Sequence, residues 1–226
     1  MNPVESLRKI PLFLTLTPEA LSRLSESIRS QLLKKGEVLF RRGSEGSALY
    51  IIGKGRIKIS LSSEDGDEVT LAIFSDGDFF GEMSLLDDLP RSADAVALET
   101  SELLVLNRTD FLAFLKNNAD ALQSVLRTLS LRLRKTDDLL EDTCFLNVSA
   151  RFAKKLVELA ELYGHEEDDG IMLDLDMSQK ELASMVGATR ESINKELRTL
   201  REKGLVCTKE KNLIICNLDL LKRRIH

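Results

Sequence analysis

Eight positions, Leu115, Ala119, Leu122, Leu126, Leu129, Leu133, Thr136 and Leu140, follow one another at alternating intervals of four and three through a stretch, 109–163, that contains no glycine. That period belongs to a long helix with one apolar seam, and a sustained seam is how two helices pair in a coiled coil. A homodimer is the direct inference, with Leu115, Leu122, Leu126, Leu129, Leu133 and Leu140 at the interface. Thr136 is the one seam residue unsuited to packing. By spacing alone it reads as a polar residue that fixes register.

The chain on either side follows other periods. Between Gly36 and about Leu106, short apolar runs (48–52, 57–61, 69–74 and 103–106) alternate with glycines. Short strands at that spacing predict a β-barrel or sandwich, with Asp65-Gly66 as a hairpin turn. Thr17-Pro18 opens a short helix before it, Thr as N-cap and Pro in the first turn. Beyond the seam, Phe152, Leu156, Leu159 and Ala160 share one face of a helix over about 148–162, and an acidic loop follows over 164–170. Ser178-Gln179-Lys180-Glu181 is then a capping box ahead of Leu182, Ala183, Met185 and Val186. Gly187 turns the chain, and Thr189 caps a second helix carrying Ile193, Leu197 and Leu200 inward. Two short helices joined by a glycine turn make a helix-turn-helix. Two apolar strands, 205–208 and 213–216, complete a winged helix.

Charge divides the chain the same way. The whole carries -5 and a pI near 5.3, which by itself argues against nucleic acid. Residues 156–176 hold eight acidic and no basic side chains, whereas 177–226 hold 11 basic and 6 acidic, net +5. The basic block coincides with the winged helix, and the second helix offers Arg190, Glu191, Asn194, Lys195 and Arg198 on its outward face. Arg can bond guanine O6 and N7 bidentately, and Glu can accept from cytosine N4. Double-stranded DNA is the partner this predicts. The longest apolar runs are too short to span a membrane, and no signal peptide is expected. Cys144, Cys207 and Cys216 suit reduced, buried thiols in a cytoplasm. His165 and His226 have no ligand partners in sequence, so no structural metal, haem or iron–sulfur cluster is expected.

Two motifs carry a resemblance. Gly81-Glu82-Met83-Ser84-Leu85-Leu86 with Pro90-Arg91-Ser92-Ala93 looks like a phosphate-binding cassette, and Thr189-Arg190-Glu191-Ser192 looks like an S/T-R-E-T/S recognition element. With them the chain resembles the bacterial CRP/FNR family, closest to its cyclic AMP receptor branch, over about residues 10–217. The fold implied is α+β. A cyclic-nucleotide-binding β-barrel of jelly-roll type would span 1–108, a long dimerisation helix and hinge 109–145, and a winged helix-turn-helix 146–226. The resemblance implies a cyclic nucleotide, cAMP first and cGMP second, held by Gly81, Glu82, Met83, Ser84, Arg91, Ser92, Arg132, Thr136 and Asp137. Counted back from Phe145-Leu146-Asn147-Val148, Thr136 falls on the family's base-contacting threonine, which reverses the reading from spacing. Asp137 stands where the best-known members have serine, and its carboxylate can receive an amino group of adenine or guanine. DNA contacts are implied for Ser178, Gln179, Thr189, Arg190, Glu191, Asn194 and Lys195, on a TGTGA-like inverted repeat. The acidic loop 165–169 is a candidate RNA polymerase contact.

Two other readings remain. One is a CRP/FNR regulator that is ligand-independent or gated by another small molecule. The other is a cyclic-nucleotide-binding regulatory subunit acting on a protein partner, in which the winged helix would have no role. No P-loop or nucleophile–base set marks an enzyme.

Overall fold

Thr17 does cap the first helix: its Oγ1 accepts the Ala20 N–H at 3.3 Å, and α1 runs Pro18–Ser27. The computed structural model describes residues 7, 10–14, 16–64, 67–173, 177–209 and 212–225. Contacts divide the chain into two units, 1–62 with 71–134 and 63–70 with 135–226.

Among the described residues eight strands follow α1 in the first unit, save that Glu68–Thr70 at the start of β5 belong to the second: β1 (Arg29–Leu33), β2 (Val38–Phe40), β3 (Ala48–Lys54), β4 (Ile57–Ser62), β5 (Glu68–Phe74), β6 (Phe79–Phe80), β7 (Asp94–Ala97) and β8 (Ser101–Asn107). They form two four-stranded sheets, ordered β1-β8-β3-β6 and β2-β7-β4-β5, a jelly-roll-like pair rather than one closed barrel. A single-turn helix, α2 (Met83–Leu86), interrupts them between β6 and β7. Strand β3 shows why its run is wholly apolar. Alternate residues face opposite sides of a sheet. Ile52, with Tyr50 beside it, joins Leu33, Ile57, Phe80, Ala95, Ala97 and Leu103 in one core. Leu49 and Ile51 join Phe13, Leu106, Phe111, Ala121 and Val125 in the other. The sequence pattern missed β1 because it is an edge strand with only Leu33 buried. The expected Asp65-Gly66 turn lies outside the described residues.

The predicted long helix is two helices. α3 (Arg108–Asn117) is capped by Asn107, and α4 (Ala119–Phe145) starts after Asn118, which takes an extended backbone at φ -138, ψ 92. Leu115 therefore sits on α3, 6% exposed in the core, and not on the interface seam expected from spacing. On α4, Ala121 and Val125 face the core with Leu129 packed beside them. Leu122, Leu126, Leu133 and Leu140 stay exposed as an apolar stripe.

The second unit continues α4 into α5 (Val148–Tyr163), β9 (Gly164–Glu167), β10 (Gly170–Leu173), α6 (Gln179–Met185), α7 (Arg190–Glu202), β11 (Val206–Lys209), β12 (Asn212–Ile215) and α8 (Leu218–Lys222). The stretch expected as an acidic loop is instead the hairpin β9–β10, continuous with the wing in a sheet ordered β11-β12-β10-β9. Its charge fits an edge strand, where carboxylates deter pairing with another chain. Arg151 on α5 ties this unit together, donating to the carbonyls of Val186 at 3.0 Å and Leu146 at 2.9 Å. Within the same unit Thr70 Oγ1 lies 2.8 Å from Ser184 Oγ, both buried. The cysteines are free but not buried as expected: Cys144 and Cys216 are exposed and Cys207 is half-buried.

Candidate functional site

Arg91 enters the first unit just before β7 and is 4% exposed. A cation is buried only when its donors find acceptors. Nη1 donates to the Gly81 carbonyl at 2.7 Å and to Ser84 Oγ at 2.9 Å, and Nη2 donates to the Ala48 carbonyl at 2.7 Å. All three acceptors are neutral. Nε is buried and has no hydrogen-bond partner among the described residues. Burial pulls the guanidinium below its ordinary pKa, and the Tyr50 hydroxyl and Glu82 carboxylate oppose that pull.

Glycine makes the approach possible. Gly81 has φ +81, and a Cβ there would stand 2.6 Å from Arg91 Nη1. A Cβ on Gly46 would stand 2.0 Å from Ser84 Oγ. Gly46 was not among the residues singled out by sequence; its signal is only that a glycine stands there, which many turns share.

Glu82, 3% exposed, accepts from Arg132 Nη1 at 2.9 Å. Arg132 Nη2 also donates to the Phe79 carbonyl, and its guanidinium lies over Phe74 at 4.2 Å. So the structure brings Gly81, Glu82, Ser84, Arg91 and Arg132 into one cluster within the first unit. Ser92 and Met83 flank it exposed, with Ser92 Oγ 3.6 Å from Met83 Sδ. Thr136 and Asp137 are exposed on α4 and belong to the second unit.

In the second unit the capping box is complete. Ser178 Oγ accepts the Glu181 N–H at 3.2 Å, and Glu181 accepts the Ser178 N–H at 2.7 Å. Gly187 ends α6 at φ +58, and the Ala188 N–H closes the turn on the Ala183 carbonyl at 3.1 Å. Thr189 caps α7, accepting the Ser192 N–H at 3.2 Å. Arg190, Glu191 and Lys195 are exposed from the start of α7, and Gln179 is half-buried at the start of α6. Asn194 differs from its neighbours: its Oδ1 is buried without a hydrogen-bond partner among the described residues, so that oxygen is not displayed with the others. Exposed side chains at the start of the second helix are the arrangement that reads base edges in a major groove.

Comparison with known proteins agrees with both halves. A cyclic nucleotide-binding domain model matches residues 30–118, and a Crp-like helix-turn-helix domain model matches residues 150–224. The CRP-like cAMP-activated global transcriptional regulator of Mycobacterium tuberculosis (strain H37Rv) is 31% identical over 220 residues, covering 97% of this chain and 98% of that protein. The cyclic AMP receptor protein of Thermus thermophilus is 34% identical over 196 residues, covering 87% and 88%. A solved CRP-family transcriptional regulator, also from Thermus thermophilus, superposes with TM-score 0.73 at 26% identity, covering 86% and 96%. Matched over nearly its whole length by such a relative, with a cyclic nucleotide-binding domain ahead of a helix-turn-helix, the chain belongs to the CRP/FNR family of transcription regulators.

Proposed function

We propose that the protein is a homodimeric, sequence-specific transcription factor of the bacterial cytoplasm whose DNA binding is gated by cAMP. One observation supports the effector most directly. Arg91 is a buried cation with only neutral acceptors and one donor, Nε, left over. A cyclic phosphodiester supplies both a negative charge and an acceptor, and charge-assisted bonds of that kind are about twice as strong as neutral ones. Glu82 suits a ribose hydroxyl, and Ser92, exposed beside the cluster, adds a donor. Thr136 and Asp137 are the proposed base contacts, tested by the ratio of cAMP to cGMP affinity in Thr136→Val and Asp137→Ser.

The exposed stripe Leu122, Leu126, Leu133 and Leu140 supports the homodimer. A two-fold dimer reads an inverted repeat, here of TGTGA type, through Arg190, Glu191 and Lys195. Exposed Glu166, Asp168 and Asp169 on the β9–β10 hairpin are the proposed RNA polymerase contact. Charge reversal there should lower transcription and leave DNA affinity unchanged.

Fluorescence anisotropy on a TGTGA-type palindrome tests the whole. cAMP should raise affinity by about 5- to 150-fold, the range of a coupling of about 1–3 kcal/mol. Arg91→Ala should abolish that response. An affinity unchanged by cAMP and cGMP would overturn the gating. A specific observation favours the second reading, a regulator independent of cyclic nucleotide: Glu82 and both terminal nitrogens of Arg91 already have protein partners.

A further inference from the structure

Four aromatic side chains lie against one another inside the first unit. Phe40 and Tyr50 have ring centroids 5.8 Å apart, Tyr50 stacks on Phe80 at 5.5 Å, and Phe80 stacks on Phe74 at 6.2 Å. Phe40 and Phe74 come from β2 and β5 of one sheet, Tyr50 and Phe80 from β3 and β6 of the other. The rings therefore interleave between the sheets. Each end of the row carries a guanidinium. Arg91 Cζ lies 4.4 Å from the Phe40 centroid and 5.5 Å from that of Tyr50, and Arg132 Cζ lies 4.2 Å from that of Phe74.

A guanidinium is planar, and all its N–H bonds lie in its plane. A ring over its face displaces water and attracts the charge without using a donor. In Arg91 the in-plane donors meet Gly81, Ser84 and Ala48, and Nε is left. Ordinary core packing would ask only for apolar volume at Phe40 and Tyr50, and a leucine would supply it.

We propose that Phe40 and Tyr50 are positioning residues of the anion site, holding the Arg91 guanidinium dry and fixed in plane so that an arriving phosphate oxygen meets a preset donor. The nucleotide arm of the test rests on Arg91 being the effector's anion contact. The chemical arm does not.

The chemical arm follows phenylglyoxal modification of Arg91 in the full-length protein without nucleotide, by peptide mass spectrometry. Phe40→Leu should speed modification about fivefold or more, since a lost cation–π contact is worth that order, and Phe40→Tyr should keep the native rate. Should Phe40→Leu fail to fold, the second variant is Tyr50→Leu read against Tyr50→Phe, which keeps the ring and removes the hydroxyl that also acts on Arg91; Tyr50→Leu should be modified faster than Tyr50→Phe. Equal rates in the native protein and the folded leucine variant overturn the proposal. The nucleotide arm is calorimetry with cAMP. Phe40→Leu should weaken binding about tenfold and Phe40→Tyr should restore it. A merely structural role would lower the melting temperature and leave that affinity unmoved, which also overturns the proposal. A native protein that binds neither cAMP nor cGMP sinks the effector reading, and the modification rates then decide the positioning role alone.

Discussion

A buried charge reveals its role by its partners. Asp94 opens β7 at 5% exposure and is fully engaged: Arg42 N–H at 2.7 Å, Ser62 Oγ at 3.1 Å and Arg41 Nη1 at 3.3 Å all donate to it. Burial raises its pKa, but the Arg42 amide, Ser62 and Arg41 together hold it below its ordinary value of 3.8. A carboxylate with a depressed folded pKa stabilises the fold above its unfolded pKa and loses that contribution as pH falls through the folded one. Asp94→Asn should thus cost about 1–3 kcal/mol at pH 7. The difference should narrow as pH falls below 3.8, as urea unfolding at several pH values would show. Arg91 is the contrasting case, a buried charge whose acceptors are all neutral. Its candidacy as a site residue was legible from the cassette motif. The rings over it were not, because Phe40 and Tyr50 lie far from Arg91 in sequence and read as ordinary strand residues.

Elements differ in how locally they are determined. The capping box, Thr189 and Gly187 define the helix-turn-helix through contacts no more than five residues apart, so the sequence was enough to locate it. Gly187 adopts φ +58, where a Cβ costs about 1–2 kcal/mol by its clash with the backbone. Among the described residues beyond its two chain neighbours, nothing but Val69 Cγ2, at 3.9 Å, lies within 4 Å of such a Cβ, so packing should add little to that cost. Gly187→Ala should therefore lower stability by about that amount in thermal unfolding. On α7, Arg190→Ala should weaken the palindrome by about 1–3 kcal/mol and relax preference at a single base pair, measured by anisotropy on a panel of sites. Uniform weakening across all sequences would make Arg190 a phosphate contact instead. The β9–β10 hairpin escaped the sequence because its residues are mostly acid and glycine. Its strands are set by pairing Ile171 and Leu173 with Ile215 and Leu213 of the wing.

For the whole molecule the heptad seam remains the organising feature, shortened at its start. Leu115 went into the core of the first unit because Asn118 breaks the helix and α3 packs under β8 and β3. The exposed stripe then begins at Leu122. Leu133→Asp places a charge on that stripe at a position 63% exposed, so the protomer should fold normally. The variant should sediment as a monomer, and its affinity for the palindrome should fall toward that for one half-site. Because the basic block 177–226 carries net +5, affinity of the native protein for the palindrome should also fall steeply with salt.

The sequence by itself determined what backbone geometry repeats locally: the seam, the caps, the glycine turn, the apolar strands and the split of charge between the two halves. Those patterns are set within a few turns or one strand, so neighbouring residues suffice to show them. Only the tertiary structure decided which apolar residues of the seam stay exposed and which turn into the chain's own core. It also joined Glu82 to Arg132 and laid Phe40 and Tyr50 over Arg91. Burial and stacking bring together segments roughly 40 to 50 residues apart, and no local period encodes such a meeting.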